Sequence, residues 1–388
     1  MMVQRWLGCV VAVGVLLSGA SVYAYPQYIA KGYATCGSCH YSPDGGGGPN
    51  AYGMATSQAM FPDGVSSSFI EGLREWAQKS GASGYDDEDL PALQWDAGLD
   101  SRFLFVEAVT EIGGEAGFHF IPMLLEAQGV VALGRFTLLG TVSPRRTSTT
   151  TSTDETYLYS RTHWLQYRLS EELSLRAGRM VLPFGVRTPD HTVSTRRALD
   201  FDKYAQSYGV QVDWNSERWS LATMGFLGGA PWRNENMQER GLSSTLAYLF
   251  PGRAALGVSA LYGKTGFYDR LVGGAFARVQ GWASTYVLLE SDLERRVTSG
   301  GSKDQLDLVS YARLGWFPWE WLDLFGELRT LRIMSHEGPS KEPPGETLGV
   351  AGVHWMVLPG LELSPAVQVD LRDADLKATF MGQLHVFY

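Results

Sequence analysis

Residues 361–371 read Leu-Glu-Leu-Ser-Pro-Ala-Val-Gln-Val-Asp-Leu, with apolar and polar side chains alternating through most of the stretch. Successive side chains of a β-strand point to opposite faces, so a period of two predicts a strand with one apolar and one polar face. The same alternation recurs at residues 376–388 and 306–316. Counting such runs from residue 92 to residue 388 predicts about sixteen strands, an even number. The chain is therefore predicted to be all-β over this part.

Short and long connections separate the predicted strands. Short turns occur at 170–172, 215–218, 251–253, 318–320 and 359–360, and longer polar loops occur at 144–154 and 335–346. Transmembrane barrels have short periplasmic turns and longer external loops. The pattern predicts an antiparallel outer-membrane β-barrel of about sixteen strands, spanning 92–388, in a Gram-negative bacterium. With both chain ends in the periplasm, the loop at 144–154 lies outside the cell and the turns at 251–252 and 359–360 face inward.

Tryptophans near the predicted strand ends favour a membrane location. They are Trp214, Trp219, Trp316, Trp319 and Trp355. Barrels carry such aromatic girdles at the two lipid–water interfaces, so outer-membrane lipid is the expected surrounding. The alternative is a soluble β-sandwich, which turns its apolar strand faces inward. Alternation of polarity by itself does not separate the two folds.

The first 24 residues predict export. Arg5 supplies a positive charge, residues 7–17 form a short apolar run, and Val22-Tyr23-Ala24 places small residues at the positions that matter for cleavage. This is the pattern of a secretory signal peptide, predicted to span residues 1–24. After it, no run reaches the roughly 18 apolar residues of a transmembrane helix. The formal net charge of −9 argues against a nucleic-acid partner.

Residues 25–91 are predicted to form a separate segment that carries Cys36-Gly37-Ser38-Cys39-His40. Two thiols at this spacing can each add to one vinyl group of a haem, and the next histidine then becomes the proximal iron ligand. A zinc site would need a second Cys/His pair, and a redox dithiol is expected within a βαβ pattern; the sequence has neither. A structural disulfide is a third alternative. The motif predicts one covalent haem c held by Cys36, Cys39 and His40.

The sixth ligand of the haem iron has several candidates. Met54 and Met60 follow a run of four glycines at 45–48, within reach of His40, and Met54 is preferred. A methionine would raise the reduction potential, and a second histidine would lower it. Histidines of the predicted barrel wall are further candidates if the haem lies inside the barrel: His119, His163 and His385. No catalytic residue is assigned.

A signal peptide, one C-x-x-C-H motif and a barrel of about sixteen strands in one chain resemble the fused outer-membrane cytochrome–porins of iron-oxidising bacteria. The resemblance covers residues 25–388 in architecture, and Cys36, Cys39 and His40 match a specific motif. It implies an electron conduit between an extracellular donor or acceptor, ferrous iron among the donors, and periplasmic cytochromes or other redox carriers. The alternatives are a diffusion porin with a haem-bearing plug or docking segment, and a haem enzyme such as a peroxidase.

Two segments are expected to fill the lumen of the predicted barrel. Segment 25–91 contains an amphipathic helix at 67–79, with Phe69, Leu73 and Trp76 on one face, and is expected to act as a plug. The third external loop, 182–204, is expected to fold inward over it, as in sixteen-stranded porins; the alternative is a solvated surface loop. The charged and titratable residues of this loop are Arg187, Asp190, His191, Arg196, Arg197, Asp200, Asp202 and Lys203. Asp190-His191 is a minor candidate for a metal-ion or distal-haem contact.

Overall fold

The computed structural model describes residues 94–109, 117–147, 155–187, 193–201, 206–229, 238–250, 253–299, 304–336, 345–358, 360–372 and 378–387. The strands, with one short helix among the described residues, are β1 Gln94–Val109, β2 Gly117–Leu133, β3 Phe136–Thr147, β4 Glu155–Tyr159, β5 His163–Arg168, β6 Leu173–Val181, α1 Ser194–Arg197, β7 Gln206–Asn215, β8 Trp219–Phe226, β9 Arg240–Phe250, β10 Ala254–Lys264, β11 Tyr268–Gln280, β12 Thr285–Thr298, β13 Asp304–Trp319, β14 Leu322–His336, β15 Glu346–Leu358, β16 Leu361–Asp370 and β17 Ala378–Phe387. Among these residues, no helix is long and apolar enough to cross a membrane.

The strands form one closed antiparallel barrel. Neighbouring strands pair around the sheet, and β1 pairs with both β2 and β17, which closes it. Segments β4 and β5 both pair with β3 and are two parts of one wall strand, interrupted at 160–162. The wall therefore has 16 strands, and the predicted barrel is confirmed. The domain boundaries predicted at residues 24 and 91 lie outside the described residues.

The distribution of polarity across the wall is opposite to that of a soluble β-sandwich. In β12 the buried side chains include Glu290, Asp292 and Glu294, and the exposed ones between them include Leu289 and Leu293. A sandwich would bury the leucines and leave the carboxylates in water. An outer surface of exposed leucines requires lipid around it, and the polar face then lines the lumen. The chain is an outer-membrane barrel.

The two ends of the barrel differ. At one end the strands are joined by short turns, such as Gly134-Arg135 between β2 and β3. At this short-turn end lie six exposed tryptophans, namely Trp95, Trp219, Trp282, Trp316, Trp319 and Trp355. They form a girdle of the kind predicted, at the interface that faces the periplasm in such barrels. One predicted turn, at 318–320, starts too early, because β13 continues through Trp319 and the turn is at 320–321.

Candidate functional site in the barrel lumen

The predicted haem residues Cys36, Cys39 and His40 and the candidate sixth ligands Met54 and Met60 lie outside the described residues. The same holds for the predicted helix at 67–79 and for four residues of the third loop, Asp190, His191, Asp202 and Lys203. These remain predictions. The described residues define a different part of the candidate site, which is the lumen wall together with the third loop.

The third loop, between β6 and β7, enters the lumen. Its described parts, 182–187 and 193–201, contribute the buried side chains of Phe184 and Phe201, whose rings stack with centroids 4.6 Å apart. Both belong to one apolar cluster with inner-face residues of the wall, among them Leu139 of β3 and Val272 of β11. Burial of these rings stabilises the loop against the wall. The loop folds inward as predicted, and the alternative of a solvated surface loop is wrong for these residues.

Serine side chains of strands β9 and β10 form hydrogen bonds with the backbone of the loop. Ser243 Oγ donates to the Pro183 carbonyl oxygen at 2.7 Å, and the Gly185 N–H donates to Ser259 Oγ at 2.9 Å. Gly185 has φ +57°, a left-handed conformation that favours glycine. A Cβ at this position would also overlap the carboxylate of Glu290. Glycine is therefore favoured at residue 185 by the backbone conformation and by the space beside it.

Helix α1 supplies the positive charge that faces the acidic residues of β12. Arg196 is buried, and its Nη2 donates to the carbonyl oxygens of Phe184 (3.1 Å) and Val186. Burial lowers the pKa of Arg196, and the neighbouring carboxylates of Glu290 and Asp292 partly offset that effect. The loop thus carries its own internal hydrogen bonds and a counter-charge for the wall beneath it.

Other charged residues of the loop reach the wall in partly exposed ion pairs. Arg197 Nη2 lies 3.2 Å from Glu346 Oε2 on β15, and Asp200 Oδ2 lies 3.2 Å from Arg296 Nη2 on β12. The Arg197 and Asp200 side chains are 64% and 65% exposed, so they face water, and their wall partners lie at the long-loop end of the lumen. Arg187 instead donates to the Leu182 carbonyl oxygen at 2.7 Å and supports the loop itself. The constriction therefore presents side chains of both charges.

A larger charged network lies on the inner face of β12–β14. Arg313 donates to Asp323 Oδ2 at 2.8 Å, to Glu327 Oε1 at 3.1 Å and to the Tyr286 hydroxyl oxygen at 2.7 Å. Its guanidinium carbon lies 3.9 Å from the centroid of the Phe325 ring. The Arg313, Asp323 and Glu327 side chains are all less than 5% exposed. Arg313 is thus the arginine paired with the buried Asp323, whereas the buried Glu327 pairs both with Arg313 and with Arg329 of its own strand.

The three wall histidines proposed as haem ligands have different positions. His385 faces the lumen, is buried, and has its Nε2 3.0 Å from Asp100 Oδ1. His163 shares a strand face with the exposed Leu165 and is therefore directed outward, so its proposed role as a lumen ligand is wrong. His119 is exposed near the long-loop end of β2. Within the described ranges, no group of three or more His, Cys, Asp or Glu residues could hold a metal ion.

One histidine contact was not expected from the sequence. His354 of β15 lies 2.9 Å from Glu362 Oε1 of β16, and Glu362 is buried on the lumen face. The alternation at 361–371 places Glu362 on the polar face of its strand. Its partner, however, depends on how β15 aligns with β16. No short motif in the sequence encodes that alignment.

The barrel resembles solved porins in shape. No protein-family model matches the chain, and no curated protein matches its sequence. OmpT of Vibrio cholerae in its trimer form has a TM-score of 0.59 at 9% identity, over 77% of this chain and 100% of that chain. The outer-membrane channel DcaP of Acinetobacter baumannii has a TM-score of 0.54 at 8% identity, over 79% of this chain and 100% of that chain. An anion-selective porin from Comamonas acidovorans has a TM-score of 0.53 at 9% identity, over 76% of this chain and 99% of that chain. The likeness establishes a porin-like barrel.

Proposed function

We propose that the protein is a porin-type channel of the outer membrane, with a lumen narrowed by the third loop and a haem-bearing N-terminal segment. The docked loop is the observation that carries the channel function. Barrels of this strand number leave a water-filled lumen, and here Phe184, Arg196 and Phe201 occupy part of it. Pore width and the charges that line it then determine which solutes pass.

The charges at the constriction favour small polar solutes. Arg197 and Asp200 are the exposed charges of the loop, and each is paired with a wall residue of opposite sign. A solute of either charge therefore meets one attractive and one repulsive group at close range. This arrangement favours hydrophilic molecules of low net charge over strongly charged ions.

Electron transfer is a second candidate function, favoured by the C-x-x-C-H motif in a chain with a predicted signal peptide. Cys36, Cys39 and His40 would hold the haem, which supplies one-electron chemistry when bound. A hydrocarbon core about 30 Å thick blocks soluble carriers, so a haem within a barrel would link an extracellular donor or acceptor to periplasmic carriers.

Liposomes containing the purified full-length protein distinguish the two functions. For a channel, we expect the liposomes to swell in small sugars, and faster swelling when residues 25–91 are deleted and the plug is lost. For an electron conduit, an external reductant should reduce an acceptor enclosed in the liposomes, without swelling. A protein with Cys36→Ala and Cys39→Ala is the matched control for the electron arm. Absence of swelling in both the full and the shortened chain would contradict the channel.

A further inference from the structure

Arg179 lies on the lipid-facing side of β6, close to the long-loop end of the strand. Its register partners are His163 of β5 and Tyr208 of β7. On the same strand faces, Leu165 and Val210 are 47% and 51% exposed, whereas Met180, the next residue after Arg179, is buried inside the barrel. The alternation of side chains therefore directs Arg179 outward. Strand β6 ends two residues later, at Val181.

The guanidinium of Arg179 is held in a fixed position by its neighbours. Nη1 donates to the Ser160 carbonyl oxygen at 3.0 Å, and Nη2 donates to the Tyr159 hydroxyl oxygen at 3.3 Å. The guanidinium carbon lies 5.0 Å and 5.9 Å from the ring centroids of Tyr159 and Tyr208. His163 stands edge-on to Tyr208 at 5.3 Å, with its Nδ1 2.8 Å from Ser160 Oγ. Cation, rings and imidazole thus form one preassembled group.

Arg179 differs from the buried arginines of the lumen face in its electrostatic surroundings. Arg176, Arg270 and Arg313 each lie 2.8–2.9 Å from a carboxylate oxygen. Among the described parts of the chain, no carboxylate forms an ion pair with Arg179. A cation on the lipid face of a barrel is costly in the hydrocarbon and is tolerated at the interface, where an anionic headgroup can pair with it.

We propose that Arg179, with His163 and Tyr208, binds the phosphate group of an outer-leaflet lipid. Arginine has five N–H donors, and two of them are used by Ser160 and Tyr159. Nε is buried and has no hydrogen-bond partner among the described residues, so the second N–H of each Nη atom remains, and these two suit the bidentate geometry of a phosphate. Tyr208 lies on the outward face at this level, as expected for the aromatic belt of a membrane interface. Free phosphate could bind through the same contacts. Because Arg179 lies on the outward face of the wall, which contacts the membrane, we assign the phosphate to a lipid.

Native mass spectrometry of the full-length protein in detergent, titrated with diphosphorylated lipid A, tests this site. We expect Arg179→Gln to weaken lipid A binding about tenfold. Arg332→Gln is the matched control, because Arg332 is an exposed arginine near the long-loop end of β14. The control should bind like the wild type. Equal binding by Arg179→Gln and the wild type, or an equal loss in the control, would overturn the proposal.

One further variant and one competition experiment complete the test. Arg179→Lys keeps the charge and loses the planar pair of donors, so we expect it to bind lipid A between the wild type and Arg179→Gln. Such a graded series does not arise from a folding defect, and the gel mobility of the heated and unheated barrel checks folding directly. Inorganic phosphate in the millimolar range should leave lipid A binding unchanged. Full displacement by inorganic phosphate would overturn the assignment to a lipid.

Discussion

Replacing Arg313 by alanine is expected to lower the free energy of unfolding by about 3–5 kcal/mol, the cost of leaving the buried carboxylate of Asp323 without its arginine. Asp323 loses its arginine, Glu327 keeps its ion pair with Arg329, and the substitution also empties the space beside Phe325. Unfolding in urea, followed by tryptophan fluorescence of the barrel in lipid vesicles, measures the effect.

Arg372→Ala is the control for this substitution. Arg372 forms an ion pair with Asp370 at 3.0 Å, but both side chains are partly exposed, at 34% and 24%. Such pairs contribute about 0–1 kcal/mol, so we expect a small change in the same assay. An Arg313→Ala protein no less stable than the Arg372→Ala protein would show that the lumen network is not a stabilising element of the wall.

Replacing both Cys36 and Cys39 by alanine is expected to abolish all covalently bound haem. Each thiol is predicted to form one thioether to the porphyrin, so the double variant keeps neither. Haem staining of the denatured protein after electrophoresis measures covalent retention, and we expect one haem per chain in the wild type. His40→Ala should keep the covalent stain and change the absorption spectrum, because it removes the proximal iron ligand and leaves both thioethers.

Cys9→Ala provides a matched control for the haem experiment. Cys9 lies within the predicted signal peptide and is the third cysteine of the chain. Because this peptide is expected to be removed on export, the substitution should leave haem retention unchanged. A wild-type protein without covalent haem would refute the cytochrome part of the account and would leave the porin-like barrel intact.

The barrel was predictable from the sequence because its signals are local. Alternation at 361–371, the short turns and the tryptophans near strand ends each reflect a neighbourhood of a few residues. Membrane barrels repeat these local patterns around the whole wall. The inward position of the third loop was expected from its place in the strand order, and Phe184 and Phe201 show how it is held.

Contacts between strands were not predictable, because they depend on register. The partners of Arg313 come from β12 and β14, and a shift of one residue would separate them. The orientation of His163 has a similar origin. Strand β3 pairs with β4 and then with β5 across the break at 160–162, and the register changes by one residue between them. The sequence does not reveal the position of such a break.

The attachment of the third loop was also hidden from the sequence. Ser243 and Ser259 are ordinary polar positions of alternating strands, yet they bind the backbone at Pro183 and Gly185. The glycine at residue 185 does not by itself predict that a carboxylate of β12 packs against it. These contacts join residues about sixty to a hundred positions apart, beyond the range of any short motif.

Single-channel conductance in planar bilayers is the most direct test of the central claim, that the docked third loop narrows a porin-type lumen. The comparison uses the barrel without residues 25–91, with the loop intact or with residues 184–200 replaced by a short Gly-Ser linker. Shortening the loop at 337–344 is the control. We predict that removing the third loop raises conductance about twofold or more, and shifts selectivity toward cations because Glu290 and Asp292 lose Arg196. Unchanged conductance and selectivity would contradict the account.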